Sequence, residues 1–254
     1  MSVLGDKRLI LTVTSGRSGT GYLAKVLAVL PGVCAYHEPE PFFHDWMRRV
    51  QKEANLAEQW LRDEKLPAIK KCNKSIYIET SHLFCKGFFE PLIGLGVIPD
   101  LILLSRPHRE VASSLYGLNT IPGRGGLGER FYLSPDDSGV LLLPEWKDLH
   151  DYQLCYWYCL EIERRQYTYG KEVQRSGGRV VAINLAEANT PEGFERLRQE
   201  LELPEPGLFG RLQLRKLRKS KVNDKSHKKK QKLSEEEKEQ LETDLLALIS
   251  TGRG

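Results

Sequence analysis

Leu9-Ile10-Leu11-Thr12-Val13-Thr14-Ser15-Gly16-Arg17-Ser18-Gly19-Thr20-Gly21-Tyr22-Leu23-Ala24-Lys25-Val26-Leu27-Ala28-Val29-Leu30 reads as a strand, a glycine-punctuated turn and a helix. Leu9 to Val13 is apolar and β-rich, Ser15 to Gly21 holds three glycines in seven residues, and Tyr22 to Leu30 repeats apolar residues at helical spacing. Glycine lets backbone N–H groups approach an anion closely, and the free amides of a helix N-terminus favour negative charge. A phosphorylated group, or one isoelectronic with phosphate, is therefore expected at Gly16 to Gly21.

Aligned on a nucleotide-kinase loop of the form G-x-x-G-x-G-K-[ST], Gly16, Gly19 and Gly21 all fit, but Tyr22 and Leu23 stand at the Lys and Ser/Thr positions. The lysine that reaches the phosphates and the hydroxyl that holds magnesium are both missing. Arg17 supplies a cation from inside the turn, with Ser18 and Thr20 as hydroxyl donors, so the loop can neutralise a phosphate-like group without a metal. An ordinary glycine-rich turn between a strand and a helix remains the alternative.

Strand, polar turn and helix recur further on. Ser75 to Ser81 alternates like a strand, with a helix expected from His82 to Gly94. Pro99 to Leu104 is a continuous apolar run ending at Ser105-Arg106-Pro107, and His108 to Leu118 is helical in pattern. Repetition of this unit predicts an α/β fold whose parallel central sheet carries helices on both faces. Ligands of such sheets bind beyond the carboxyl ends of the strands. Arg17, Glu38, Ser81 and Arg106 all lie just past predicted strands or extended pieces, so one crevice can gather them.

Elsewhere, Phe42 to Lys65 is expected to be helical, with Trp46, Val50, Leu56, Trp60 and Leu61 as its buried stripe. Asn119 to Trp146 is glycine-rich and aperiodic, which reads as a functional lid or a disordered segment and makes it the candidate for acceptor recognition. Asp148 to Arg175 predicts a long helix with Tyr152, Trp157 and Tyr158 facing the core, and Arg179 to Asn184 a last strand. Thr190 as N-cap and Pro191 at the first helical position begin another helix, and Ser234 with Glu237 forms a capping box for a C-terminal helix at 234–250. Arg109 and Lys25 read as solvated helix-face residues. One domain spanning 1–254 is expected.

At 254 residues, 40% hydrophobic and 28% charged, the chain has the composition of a soluble globular protein. Its N-terminus lacks the apolar run and small-residue cleavage site of a secretory signal, so a cytoplasmic location and no transmembrane segment are expected. Five cysteines without a C-x-x-C pair argue against a disulfide framework or a thiolate zinc site, and the six histidines lack an H-x-x-x-H pair, so no metal is expected. Cys155 and Cys159, one helical turn apart, read as buried small side chains.

Two constellations together make the chain resemble sulfotransferases that use 3'-phosphoadenosine 5'-phosphosulfate (PAPS). In that superfamily the first strand-loop-helix holds the 5'-phosphosulfate with a Lys or Arg followed by Ser-Gly-Thr, here Arg17-Ser18-Gly19-Thr20. A second strand ends in Arg and is followed by a helix bearing Ser eight residues later, which bind the 3'-phosphate; Arg106 and Ser114 match. The resemblance runs over roughly residues 8 to 203 and implies a nucleotide-binding set of Gly16, Arg17, Ser18, Gly19, Thr20, Gly21, Tyr22, Arg106 and Ser114. His37-Glu38-Pro39-Glu40-Pro41-Phe42-Phe43 is similar to bacterial sulfotransferases acting on trehalose, where a Gly-Glu-Pro segment carries the proposed general base. By that resemblance Glu38 is the base. His37, which replaces the small residue, is a rival base or a partner for Glu38, and His82 is a further candidate because a histidine performs this task elsewhere in the family.

The reaction implied is in-line sulfuryl transfer from PAPS to a hydroxyl acceptor, a carbohydrate, lipid or small natural product, without a metal. A P-loop small-molecule kinase and a non-catalytic nucleotide-binding protein stay open. The net charge of +4 is uneven: 211–232 carries eleven Lys/Arg and one Asp, leaving the remainder near −6. By the same resemblance, which places a late basic loop over the 3'-phosphate at about Lys219 to Lys230, that segment is expected to be such a loop; read on its residues alone it is a contact for nucleic acid or an anionic membrane, or a solvated linker. With no interleaved aromatics to stack bases, no nucleic-acid partner is expected. A homodimer is left open.

Overall fold

The computed structural model describes residues 4–219 and 232–251. Its centre is a sheet of β1 (Arg8–Val13), β2 (Val33–Tyr36), β3 (Ile76–Glu79), β4 (Asp100–Ser105) and β5 (Val180–Asn184), ordered β2-β3-β1-β4-β5 with every pair parallel. Alternation along the strands splits the core in two. Leu9, Leu11, Val13, Tyr77 and Leu101 face one apolar layer, and Ile10, Ile78, Ile102, Leu104, Val181 and Ile183 face the other. Burial on both faces is why these strands read as continuous apolar runs.

The second layer is closed by α1 (Thr20–Leu27), α9 (Leu185–Ala188), α10 (Pro191–Glu200) and α11 (Leu208–Lys219). Thr190 caps α10 through Gly193 N at 2.9 Å, with Pro191 at its start. The first layer holds α2 (Met47–Lys52), α3 (Asn55–Trp60), α4 (Leu66–Lys71), α5 (Phe89–Gly94), α6 (His108–Gly117), α7 (Gly126–Phe131), the long α8 (Asp151–Arg175) and α12 (Glu235–Thr251). Tyr152, Trp157 and Tyr158 of α8 are fully buried. α8 also ties the strand ends together: Gln166 Nε2 donates to the carbonyls of Val13 and Leu104 at 2.8 and 3.2 Å.

Several expectations need correction. The helix expected over Phe42–Lys65 is broken: a 3-10 turn at Phe43–Asp45 precedes α2 and α3, and a π-turn at Leu61–Lys65 leads into α4. The helix expected from His82 shrinks to α5, because the Ser81 hydroxyl accepts from Leu83 N at 3.1 Å and Gly87 turns to φ 94. The glycine-rich stretch 119–146 contains α7 and buries Ile121, Tyr132, Leu133 and Leu143. Cys34 and Cys72 form a disulfide, against the expectation of none. They are 38 residues apart, and only the packing of edge strand β2 beside the end of α4 makes them neighbours. Cys85, Cys155 and Cys159 are free and buried.

Arg109 is also no solvated face residue. Its guanidinium pairs with Glu242 of α12 through Nε at 3.0 Å and Nη2 at 2.7 Å, while the Tyr152 hydroxyl donates to the same carboxylate at 2.6 Å. With Leu245 and Ile249 buried, these contacts seat α12 on α6 and α8. The capping box forms as expected, Ser234 N to Glu237 at 2.7 Å and Glu237 N to Ser234 Oγ at 3.1 Å. Lys25 is exposed. Of the basic segment, 211–219 lies in α11, and the rest up to 231 falls outside the described residues.

Candidate active site

Most candidate residues stand within a few positions of a strand's carboxyl end, while Tyr22 and Ser114 lie further on, in the helices that follow β1 and β4. After β1 the chain turns through Gly16 at φ 79, Arg17 at φ 55 and Gly19 at φ 89 into α1. Position 19 favours glycine through its φ of 89, and a Cβ there would lie 2.4 Å from a Leu185 methyl, which would have to shift. Arg17 holds a left-handed conformation that non-glycine residues rarely adopt. No side chain caps α1, whose first amides therefore keep their capacity for an anion. Ser18 is fully buried and its hydroxyl donates to the Gly16 carbonyl at 2.9 Å, so this side chain braces the turn. The Tyr158 hydroxyl of α8 supports the turn from beneath, donating to Ser15 O at 2.7 Å.

The two separate sequence constellations meet here. Arg17 Nε donates to Ser114 Oγ of α6 at 3.2 Å, and Arg106 Nη1 donates to the Arg17 carbonyl at 2.7 Å. Arg106 Nε is paired with Glu110 at 2.8 Å. Arg17, Thr20, Gly21, Tyr22 and Arg106 line a crevice of about 1210 Å³, together with His37, Asn184, Asn189, Arg218 and Lys219; Glu38 and Ser81, expected in the same crevice, are not part of its lining. The Tyr22 hydroxyl donates to Asn189 Oδ1, which joins the start of α1 to the far wall.

His37 and Glu38 turn to different sides. His37 Nδ1 lies 2.8 Å from the Thr80 carbonyl and must carry the proton there, leaving Nε2 as an acceptor on the crevice wall. Glu38, in a left-handed conformation at φ 48, accepts from Ser81 Oγ at 3.4 Å and lies 3.5 Å from His82 Nε2. Behind it, Lys86 Nζ is 2.8 Å from His82 Nδ1, donates to the Phe131 carbonyl, and sits 4.9 and 5.1 Å from the rings of Tyr132 and Tyr158. An ammonium has only donors, so charged Lys86 makes Nδ1 the acceptor and puts the His82 proton on Nε2, facing Glu38.

A second buried lysine holds the segment that carries Glu38. Lys65, 1% exposed, donates to the Pro39 and Pro41 carbonyls at 3.3 and 2.9 Å and to Glu79 Oε1 at 3.0 Å, while Tyr77 OH donates to the other Glu79 oxygen at 3.1 Å. Burial lowers the Lys65 pKa and raises that of Glu79, and their mutual attraction opposes both shifts. Lys65 ends the π-turn, a helical irregularity that is frequent at functional sites.

No protein-family description and no curated protein matches this chain. Among solved structures it is similar to the sulfotransferase domain from the curacin biosynthetic pathway, with a TM-score of 0.53, 14% identity, and coverage of 85% of this chain and 79% of that one. The parallel five-stranded sheet and its flanking helices agree. The fold is that of a sulfotransferase.

Within this fold, Lys65, Glu79 and Lys86 escaped the sequence reading. Lys86 had left a signal, a lone cation in the apolar run Leu83-Phe84-Cys85-Lys86-Gly87-Phe88-Phe89, where a buried charge demands partners. Lys65 left none, since Arg62-Asp63-Glu64-Lys65 reads as a solvated charge cluster. Among the described residues there is no group of three or more His, Cys, Asp or Glu placed to hold a metal, and no helix long and apolar enough to cross a membrane.

The buried Lys86–His82 pair makes stability depend on pH. Burial pushes Lys86 down to about 7 from an ordinary 10.5, and burial followed by the Lys86 charge pushes His82 well below 6.5. From about pH 7 to 10 the unfolded chain holds the Lys86 proton that the folded chain has lost, so stability rises with pH by up to about 1.4 kcal/mol per unit. Below about pH 6.5 the unfolded chain likewise binds the His82 proton first, and stability falls with acid. Lys86→Met should flatten the rise above pH 7. Urea unfolding of both proteins at several pH values checks this, and equal slopes would contradict it.

Proposed function

We propose that this chain is a PAPS-dependent sulfotransferase acting on a hydroxyl acceptor. The observation that carries the reading is the junction of the glycine turn with the end of β4, Arg17 to Ser114 and Arg106 to the Arg17 carbonyl, at the uncapped start of α1. Two basic side chains and the free amides of one helix form a surface for a doubly phosphorylated nucleotide. The resemblance at Arg17-Ser18-Gly19-Thr20 and at Arg106 with Ser114 assigns the phosphosulfate to the first and the 3'-phosphate to the second.

In this reading the acceptor hydroxyl oxygen forms a bond to sulfur as the bond from sulfur to the phosphate oxygen breaks, and the acceptor's proton passes to Glu38. Arg17 stabilises the charge that gathers on the leaving oxygen. While Lys86 is charged, His82 keeps its proton on Nε2, orients Glu38 and does not compete for the acceptor's proton. The rings of His44 and Phe131 stand 5.7 Å apart, with Phe131 6.4 Å from His82, and offer apolar faces to the carbon skeleton of a sugar or another cyclic acceptor. Phe131 comes from the glycine-rich stretch expected to recognise the acceptor.

A kinase reading is disfavoured by what stands at the two diagnostic positions. Leu23 is fully buried, and the Tyr22 hydroxyl is engaged by Asn189. Calorimetric titration with 3',5'-adenosine bisphosphate, ATP and AMP, with and without magnesium, tests the proposal. The bisphosphate should bind most tightly, equally well without magnesium, and Arg106→Ala should weaken it by about tenfold or more. A preference for magnesium-ATP would restore the kinase.

A further inference from the structure

We propose that the exposed face of α11 docks the protein onto an anionic lipid surface. The helix is amphipathic in an unusual sense. Gly210 and Leu214 are buried on one side, where Gly210 packs against the Val29 carbonyl at the end of the first helical segment. On the opposite side Leu208, Phe209 and Leu212 are 84%, 80% and 57% exposed. Helical spacing sets Arg215, Lys216 and Lys219 on that same side, with Arg211 at its edge, all exposed. An apolar first turn thus leads into a basic stripe, and the sequence from 206 to 223 contains no acid.

The pairing of the two features selects the occupant. Apolar side chains without charge, or cations without apolar side chains, hold a protein to a membrane only weakly, whereas both on one helix provide the two signals that peripheral binding needs. The three apolar side chains enter the boundary between headgroups and acyl chains while the cations meet acidic headgroups. A second copy of the chain fits poorly, since a two-fold contact through this face would bring together two basic stripes with no acid between 206 and 223 to neutralise them. Because Arg218 and Lys219 also line the crevice, docking through α11 brings the crevice mouth to the lipid. Docking of this kind does not depend on the proposed reaction.

Co-sedimentation of the full chain with vesicles of phosphatidylserine and phosphatidylcholine, and with phosphatidylcholine alone, is the test. The parent should partition at least about tenfold more strongly onto the anionic vesicles, with binding that falls as salt rises. The triple variants Leu208→Gln/Phe209→Gln/Leu212→Gln and Arg211→Gln/Arg215→Gln/Lys216→Gln should each lose about tenfold or more while keeping the parental unfolding midpoint. Failure of the parent to bind would overturn the proposal. So would unchanged binding by the apolar triple variant, which reduces the effect to charge alone. A parent dimer that this variant dissociates in sedimentation velocity would assign the face to a second copy.

Discussion

Lys65→Met should lose about 3–5 kcal/mol of stability, because it leaves the Glu79 carboxylate buried without its cation. That loss alone would describe a structural residue. The double variant Lys65→Met/Glu79→Leu separates the two roles, since replacing both members of a buried ion pair by apolar side chains is often neutral or stabilising. Stability should return in the double variant and turnover should not. The carbonyls of Pro39 and Pro41, to which Lys65 donates at 3.3 and 2.9 Å, would still lack a donor, and the segment carrying Glu38 would no longer be held. Urea unfolding beside a kcat and KM determination reads both effects. A double variant that regains turnover with stability would reduce Lys65 to a structural ion-pair partner.

Glu38→Gln should lower kcat by about 10²–10⁴ while leaving the affinity for 3',5'-adenosine bisphosphate unchanged. The amide keeps the shape of the carboxylate and can still accept from Ser81, but it cannot take a proton from the acceptor. In the proposed reading the bisphosphate would be held by Arg17, Arg106 and the start of α1, and Glu38 makes its contacts elsewhere, with Ser81 and His82. A variant that keeps most of its turnover would hand the base to His37, whose Nε2 is an acceptor on the crevice wall, or to His82. Loss of nucleotide binding along with turnover would mean that the substitution had disturbed the glycine turn instead.

The legible parts of this protein were those written within one segment. The glycine turn declared itself because Gly16 and Gly19 meet a conformational demand at fixed spacing, and β4 with α6 because an apolar run, Arg106 and Ser114 follow one another within fifteen residues or so. Helix continuity was harder. Phe42–Lys65 has a consistent buried stripe, and Val50, Trp60 and Leu61 are indeed buried, yet the chain changes helical type twice to deliver Lys65 to the carbonyls of Pro39 and Pro41. Tertiary contacts there override a periodicity that is right about the face and wrong about the geometry. Cys34 with Cys72, and Arg109 with Glu242, were misread for a related reason: an isolated cysteine or arginine carries no mark of its partner.

The sequence by itself determined the parallel α/β class, the glycine turn between β1 and α1 and the identity of the residues at the strand ends, because periodicity, glycine placement and capping act between near neighbours. Only the tertiary structure decided that Glu38 faces Ser81 and His82 while His37 faces the crevice, and that two buried lysines stand behind this arrangement. Those relations join β2 to β3 and the π-turn: Glu38 and Ser81 are 43 residues apart, and Lys65 and Glu79 are 14 apart. Parallel register sets such distances, and register arises from burying both faces of a sheet at once, which no single stretch of the chain encodes.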